Sequence, residues 1–184
     1  MLEKVSGQKY EALVKNTLTD DRGLFVHIGW PNSMSPDQPW GHLITGSKVE
    51  TFPPDHDYKL PGLITPAGGL SMTVKDYAKY TQMHLRGLRG EDNYISSAAY
   101  RHIHFGRKGF ALGVANGVLA SKKFSGFDGS AGTFFCRSIL VPEADFAFTL
   151  MTNAGSGSSS MPVIDWLTMR IVKIFFNRWW KFWW

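Results

Sequence analysis

The chain has a single cysteine, Cys136, in 184 residues. An intramolecular disulfide and a four-cysteine zinc site are both excluded, and cysteine usage leaves the redox compartment open. Long apolar runs are also missing: none reaches the roughly 20 residues a membrane-spanning helix needs. No basic stretch followed by an apolar core and a small-residue cleavage site marks the N-terminus, so nothing in the chain assigns a compartment. Acidic residues are in mild deficit, 15 against 20 Lys and Arg, for a formal charge of +5. The cations are scattered except near the C-terminal end, which argues against nucleic acid as a partner. No internal repeat is visible. What is plentiful is apolar material: 43% hydrophobic and 14% aromatic residues suffice for one folded domain.

Residues 1–5 carry Leu2 and Val5 with no capping residue ahead of them, as though the chain enters partway through a helix. Ser6-Gly7 interrupts, and Tyr10, Leu13, Val14, Thr17 and Leu18 then recur at helical spacing, predicting an amphipathic helix that ends before Asp20-Asp21-Arg22-Gly23. Residues 29–69 are dense in Pro, Gly, Asp and Trp without a sustained period, which predicts a long irregular excursion of the kind that lines a site. Thr73 is the expected N-cap of a helix carrying Val74, Tyr77, Ala78 and Leu85 and stopping near Gly87, with a shorter helix over 96–102.

Short apolar runs at 110–114, 133–141 and 146–152 predict three strands, the last two joined as an antiparallel hairpin by Pro142-Glu143-Ala144-Asp145. Alternation puts Phe134, Cys136, Ser138 and Leu140 on one face and Phe135, Arg137, Ile139 and Val141 on the other, with Cys136 a small core residue. Residues 155–160 read as a flexible Gly/Ser connector and 161–184 as a helix. The expected organisation is one α+β domain: a helical and long-loop part over 1–105, strands over 106–160, and an aromatic helix over 161–184.

Several segments carry a resemblance. Leu2-Glu3-Lys4-Val5-Ser6-Gly7-Gln8-Lys9-Tyr10-Glu11, Gln38-Pro39-Trp40-Gly41-His42, Pro66-Ala67-Gly68-Gly69-Leu70-Ser71-Met72-Thr73 and Phe127-Asp128-Gly129-Ser130 with the Pro142-Glu143 hairpin behind it are similar to the serine β-lactamase and penicillin-binding-protein-like hydrolases, in their class C-related branch. The resemblance implies an antiparallel sheet flanked by helices, here incomplete, lacking the N-terminal strands and the nucleophile helix. It implies acyl transfer on a β-lactam, a D-alanyl cell-wall peptide or a small ester, and no cofactor.

That chemistry needs a Ser whose hydroxyl is activated by a Lys one helical turn away, a Tyr-x-Asn or Ser-x-Asn relay, and a strand that binds substrate and lends a backbone N–H to the oxyanion. The only Ser-x-x-Lys is Ser6-Gly7-Gln8-Lys9, which aligns with the family's later helix junction, and no Tyr-x-Asn or Ser-x-Asn occurs. The third element is present, with Phe127 where Lys or His is expected; a phenyl ring neither donates a hydrogen bond nor carries charge. By resemblance Phe127, Asp128, Gly129 and Ser130 form a residual substrate cleft, with the Ser130 N–H as oxyanion donor and Asn153 presenting a polar side chain. The competing reading makes 127–130 a turn leading into a strand. No residue is assigned a catalytic role, and a truncated or inactive hydrolase is the expectation.

His27-Ile28-Gly29 and His104-Phe105-Gly106 also spell His-x-Gly but do not precede the hairpin. His84, His102 and His104 lack carboxylate or thiolate neighbours in sequence, so they are expected to be solvated and no metal site is assigned. In the terminal helix Phe175, Trp179, Phe182 and Trp183 gather opposite Arg170, Arg178 and Lys181, with Trp180 close by. A cationic amphipathic helix of this kind suits an anionic membrane surface, and packing on the sheet is the alternative for 163–174. A non-catalytic binding or membrane-associated descendant of the fold is therefore the second functional expectation. Self-association through an open sheet edge is a third, since a last strand without its N-terminal neighbour exposes backbone N–H and C=O groups.

Overall fold

A computed structural model describes residues 1–176 apart from Lys59 and Ala120. Helix α1 (Leu2–Ser6) is closed by Gly7, whose left-handed backbone, φ 68°, lets its N–H bond back to the Glu3 carbonyl. Helix α2 (Tyr10–Val14) widens into a π-type turn over Lys15–Asp20. The wider turn stacks Lys15 over Asp20, five residues on, at 2.7 Å, and the Asp21 N–H reaches the carbonyl of Asn16. The face bearing Leu13, Val14, Thr17 and Leu18 is only half-buried.

Strand β1 (Val26–Ile28) pairs antiparallel with β4 (Leu70–Met72), and between them lie β2 (Gly41–Thr45), β3 (Lys48–Phe52) and the short helix α3 (Thr65–Gly68). The stretch expected to be irregular throughout therefore contains a hairpin, β2 on β3, around Gly46-Ser47. Its strands carry Gly, His, Lys and Glu and stay largely exposed, so the alternation that a buried face imposes is absent. The 155–160 connector is also structured. The Ser159 N–H bonds the Ile44 carbonyl, the Ile44 N–H bonds Ser158 Oγ and the Gly46 N–H bonds Ser159 Oγ, so serine hydroxyls fasten this segment to the hairpin.

Thr73 caps helix α4 (Val74–Leu88) as expected, its Oγ1 accepting the Asp76 N–H, and Ser96 caps α5 (Ser97–Phe105) in the same way through Ala99. The strand expected at 110–114 starts later, at β5 (Ala115–Leu119), because Gly113, φ 77°, turns the backbone and Ala111 bonds Val114 within its own loop. Strand β6 (Lys122–Ser130) contains the whole of 127–130, so that segment is strand and not a turn before one. Its Gly and Ser content gives weak intrinsic preference, which pairing on both edges overrides. β7 (Phe135–Val141) and β8 (Phe146–Thr152) form the predicted hairpin, with Asp145 left-handed at φ 49° in its turn, and α6 (Met161–Phe176) follows.

The main sheet runs β5-β6-β7-β8, all antiparallel. Two opposite faces are covered by different helices. On one, Leu85, Leu88, Tyr100 and Leu140 make the densest core, with Phe105, Phe127 and Ala147 against it. On the other, α6 packs through Ile164, Thr168 and Val172, and Phe175 stacks on Phe146 at 3.8 Å. Among the described residues, β8 pairs with β7 alone.

Candidate functional site

The C-terminal end of β6, the start of β7 and the end of β8 face the chain at 29–31 and 66–72 across a cavity of about 290 Å³. Gly129 and Ser130 lie on its sheet side with Cys136 and Met151, and Trp30, Pro66, Leu70 and Ser71 on the other. Trp30 is wedged among Phe52, Tyr58 and Phe134, with ring centroids 5.6–6.3 Å apart, so an aromatic block fixes that wall. Among the described residues, no Lys, Arg, His, Asp or Glu lines the cavity.

The five residues expected to share a cleft are divided by their position along the sheet. Only Gly129 and Ser130 line the cavity. Phe127 turns under α4 and α5, edge-on to Tyr77 at 6.3 Å and beside His84 and His104. Asp128 turns to the α6 face, where Arg137 grips both carboxylate oxygens at 2.9 and 2.8 Å and reaches Asp165 at 2.7 Å. These acids hold the Arg137 guanidinium well above the ordinary arginine range, the bonds to Asp128 contributing most. Asn153 lies at the far side of the β8 end, its Nδ2 donating to the Trp40 carbonyl at 3.0 Å and its own carbonyl meeting His42 Nδ1 at 3.2 Å. It anchors the 40–42 segment to the sheet.

Neither serine in the cavity is activated. Ser130 Oγ donates to the Phe134 carbonyl at 3.0 Å and receives the Gly132 and Ser156 N–H groups and the Ser156 hydroxyl, so its capacity is used up. Ser71 Oγ donates to the Gly29 carbonyl. Ser6 and Lys9 do not share a helical face: Ser6 ends α1, Lys9 is the extended residue before α2, and Ser6 Oγ bonds the Leu2 carbonyl at 2.9 Å. The arrangement can hold an uncharged acyl-like group against backbone at Gly129 and Ser130. Among the described residues it has no basic side chain with which to take a proton from a hydroxyl.

Cys136 is half-buried at the cavity wall instead of deep in the core, with its Sγ 3.7 Å from Tyr77 Oη. Burial raises its pKa and that of Tyr77, leaving both protonated at neutral pH.

The histidines depart from expectation. His104 is fully buried and His84 nearly so, while His102 is exposed. His84 Nδ1 lies 2.8 Å from His104 Nε2, and His104 Nδ1 lies 2.6 Å from Ser125 Oγ. Burial lowers the two imidazoles to about 3 and about 4, so each is neutral and offers one N–H and one lone pair to the chain of bonds. The residues are held by α4, α5 and β6; sequence spacing across three elements gave no sign of the contact. The Asp128–Arg137 pair did leave a signal: the two stand symmetrically about the 131–134 turn, where hairpin register sets them opposite each other. Among the described residues, no cluster of three His, Cys, Asp or Glu side chains forms a metal site.

The four-stranded antiparallel sheet, helices on both of its faces and a cavity at the end of its central strands make an α+β domain. The β-lactamase family model matches residues 1–172, and the chain belongs to that family. No curated protein sequence matches it. A solved structure similar to it is the octameric penicillin-binding protein homologue from Pyrococcus abyssi, at 21% identity and a TM-score of 0.69 over 92% of this chain. The chain spans 39% of that protein's length.

Proposed function

We propose that this chain supplies the substrate-holding floor of a β-lactamase-type acyl-transfer cleft and does not itself form an acyl intermediate. One observation carries the reading: among the described residues the cavity offers the strand-end backbone at Gly129 and Ser130 but is lined by no basic residue, and both its serine hydroxyls are bonded to backbone or to another serine. Activating a serine would require a base within hydrogen-bond reach. A truncated or inactive hydrolase of β-lactams, D-alanyl peptides or esters is the function this supports. Titrating the ¹⁵N-labelled chain with benzylpenicillin or D-alanyl-D-alanine tests it. The expected result is saturable shifts of the Gly129 and Ser130 amides; shifts confined to other regions, or none, would remove the cleft reading.

A second reading, surface association, has its own observation. Val163, Trp166, Met169 and Ile174 are exposed on α6 beside Arg170 and Lys173, with Trp166 65% accessible. Among the described residues no helix is long and apolar enough to cross a membrane, so contact would be interfacial. Phe175 is half exposed while stacked on Phe146; Trp179, Trp180, Phe182 and Trp183 lie outside the described residues. Co-sedimentation with phosphatidylserine vesicles, with and without residues 175–184, is expected to lose binding on truncation; unchanged binding removes the tail from the reading. Self-association through the free edge of β8 is the remaining proposal, supported by the octameric state of the Pyrococcus abyssi relative.

A further inference from the structure

Residues 93–127 contain five cations, Arg101, Arg107, Lys108, Lys122 and Lys123, and not one acid. They make up α5, the segment after it, β5 and the start of β6, on the β5 side of the main sheet, the opposite edge from β8. Arg101, Arg107, Lys108 and Lys123 are exposed, and none of the five cations is in an ion pair among the described residues. The acid that approaches is Glu143, from the β7–β8 turn, whose carboxylate meets the Lys123 backbone N–H at 3.4 Å.

The same lobe holds apolar side chains out into water. Phe110 is 61% accessible, Leu112 64% and Val118 71%. Fraying does not explain this, because the 106–114 segment is fastened from several sides. Asn116 Oδ1 accepts the Gly109 N–H at 3.0 Å, and its Nδ2 donates to the carbonyls of His104 and Arg107 at 2.8 and 2.9 Å. The Leu112 N–H reaches the Ile103 carbonyl, Phe110 bridges Ala115, and Val114 is buried behind the tip. A built frame therefore presents Phe110 and Leu112 two and four residues after Lys108. About 10 Å further along β5 the pairing recurs, where exposed Val118 stands opposite Lys123.

We infer that this lobe is a docking surface for an anionic lipid bilayer, with Phe110 and Leu112 entering the headgroup region and Arg107, Lys108 and Lys123 meeting lipid phosphates. An interface of that kind takes apolar side chains below the headgroups and cations level with them, and each cation near it contributes about a fivefold gain in binding. A soluble polyanion or an acidic protein surface would satisfy the cations and leave both apolar tips in water. The lobe shares no residue with the Gly129–Ser130 cavity, the β8 edge or α6, so it stands or falls apart from the readings given to those.

Co-sedimentation of the full chain with vesicles of phosphatidylcholine, with and without phosphatidylglycerol, tests it. Two double variants are compared with the native chain, Phe110→Ser with Leu112→Ser and Arg107→Glu with Lys108→Glu. All four side chains are exposed, and circular dichroism confirms that each variant folds. The expected result is salt-weakened binding that requires phosphatidylglycerol, with at least about a tenfold loss in each variant. On the native ¹⁵N-labelled chain, vesicles carrying a gadolinium-chelating lipid are expected to broaden the Phe110 and Leu112 amides first. No binding to either vesicle, or native-level binding by the serine variant, overturns the inference; the latter would mean adsorption by charge alone, as to any acidic partner. Broadening confined to α6, with binding lost on removing residues 175–184 and untouched by both double variants, also overturns it and leaves the contact to the C-terminal tail.

Discussion

Phe127 and Asp128 are adjacent in β6, yet they serve two faces of the sheet built on different chemistry. Under α4 and α5 the contacts that reach the sheet from Thr81, Tyr77, His84 and His104 are made by neutral groups: His84 to His104 to Ser125, Thr81 to Ser138 to Thr149, Tyr77 to Cys136. Under α6 the contact is an ion triad, Asp128–Arg137–Asp165, with only the guanidinium well covered. The difference follows from water access. Where the helices seal the face over His84 and His104, burial leaves both imidazoles neutral; where the acids stay half in water, charge is retained. On β6 the sealed face receives Phe127 and the half-wet face Asp128.

Acid is the strongest way to break the neutral face alone. Both imidazoles have folded-state pKa values below the ordinary 6.5, to about 3 and about 4, with burial the largest cause. Below pH 6.5 the folded chain therefore binds fewer protons than the unfolded one. The stability they provide is whole above about 6.5 and is lost as pH falls through 6.5 toward 4. At pH 4.5, two units below the unfolded value, the loss is about 3 kcal/mol for each imidazole that stays neutral. Urea unfolding at pH 7.5 and 4.5 measures it, and equal stability at the two pH values would contradict the neutral pair.

Tyr100→Ala attacks the same face by volume. Tyr100 is fully inaccessible and central to the core cluster, so truncation is expected to cost about 3–5 kcal/mol in chemical denaturation at pH 7.5. On the charged face, Arg137→Met leaves Asp128 and Asp165 half in solvent, and the expected loss is smaller, about 1–2 kcal/mol. That loss should shrink in high salt while the Tyr100→Ala loss does not, a contrast that separates the two faces in one experiment. The smallest effect expected is Thr73→Ala, which removes the α4 cap bond and costs about 1 kcal/mol, read as a lower Tm.

Capping and hairpin chemistry were legible because they are local. Thr73 and Pro142-Glu143-Ala144-Asp145 carry their own geometry, and the structure places α4 and the β7–β8 hairpin accordingly. The resemblance drawn from 2–11, 38–42, 66–73 and 127–130 led to the right family. β6 and the β2–β3 hairpin were harder. Lys122–Ser130 is strand because two neighbours bond it, not because its glycines and serines prefer extension, and no local pattern reports a neighbour. The candidate cleft was legible only in part for a related reason. A motif names consecutive residues, but the cavity lies at the end of β6, so its last two residues, Gly129 and Ser130, reach it, while Phe127 and Asp128, further back, turn to opposite faces of the sheet. The buried His84–His104 contact joins residues 20 apart on two helices, and single-sequence reasoning placed both in solvent.

Intact-protein mass spectrometry after prolonged incubation with benzylpenicillin tests the central claim most directly. An unmodified 20.6 kDa chain is the predicted result, because among the described residues no serine in the cavity has a base beside it. A stoichiometric penicilloyl adduct mapped to a single serine would contradict the account.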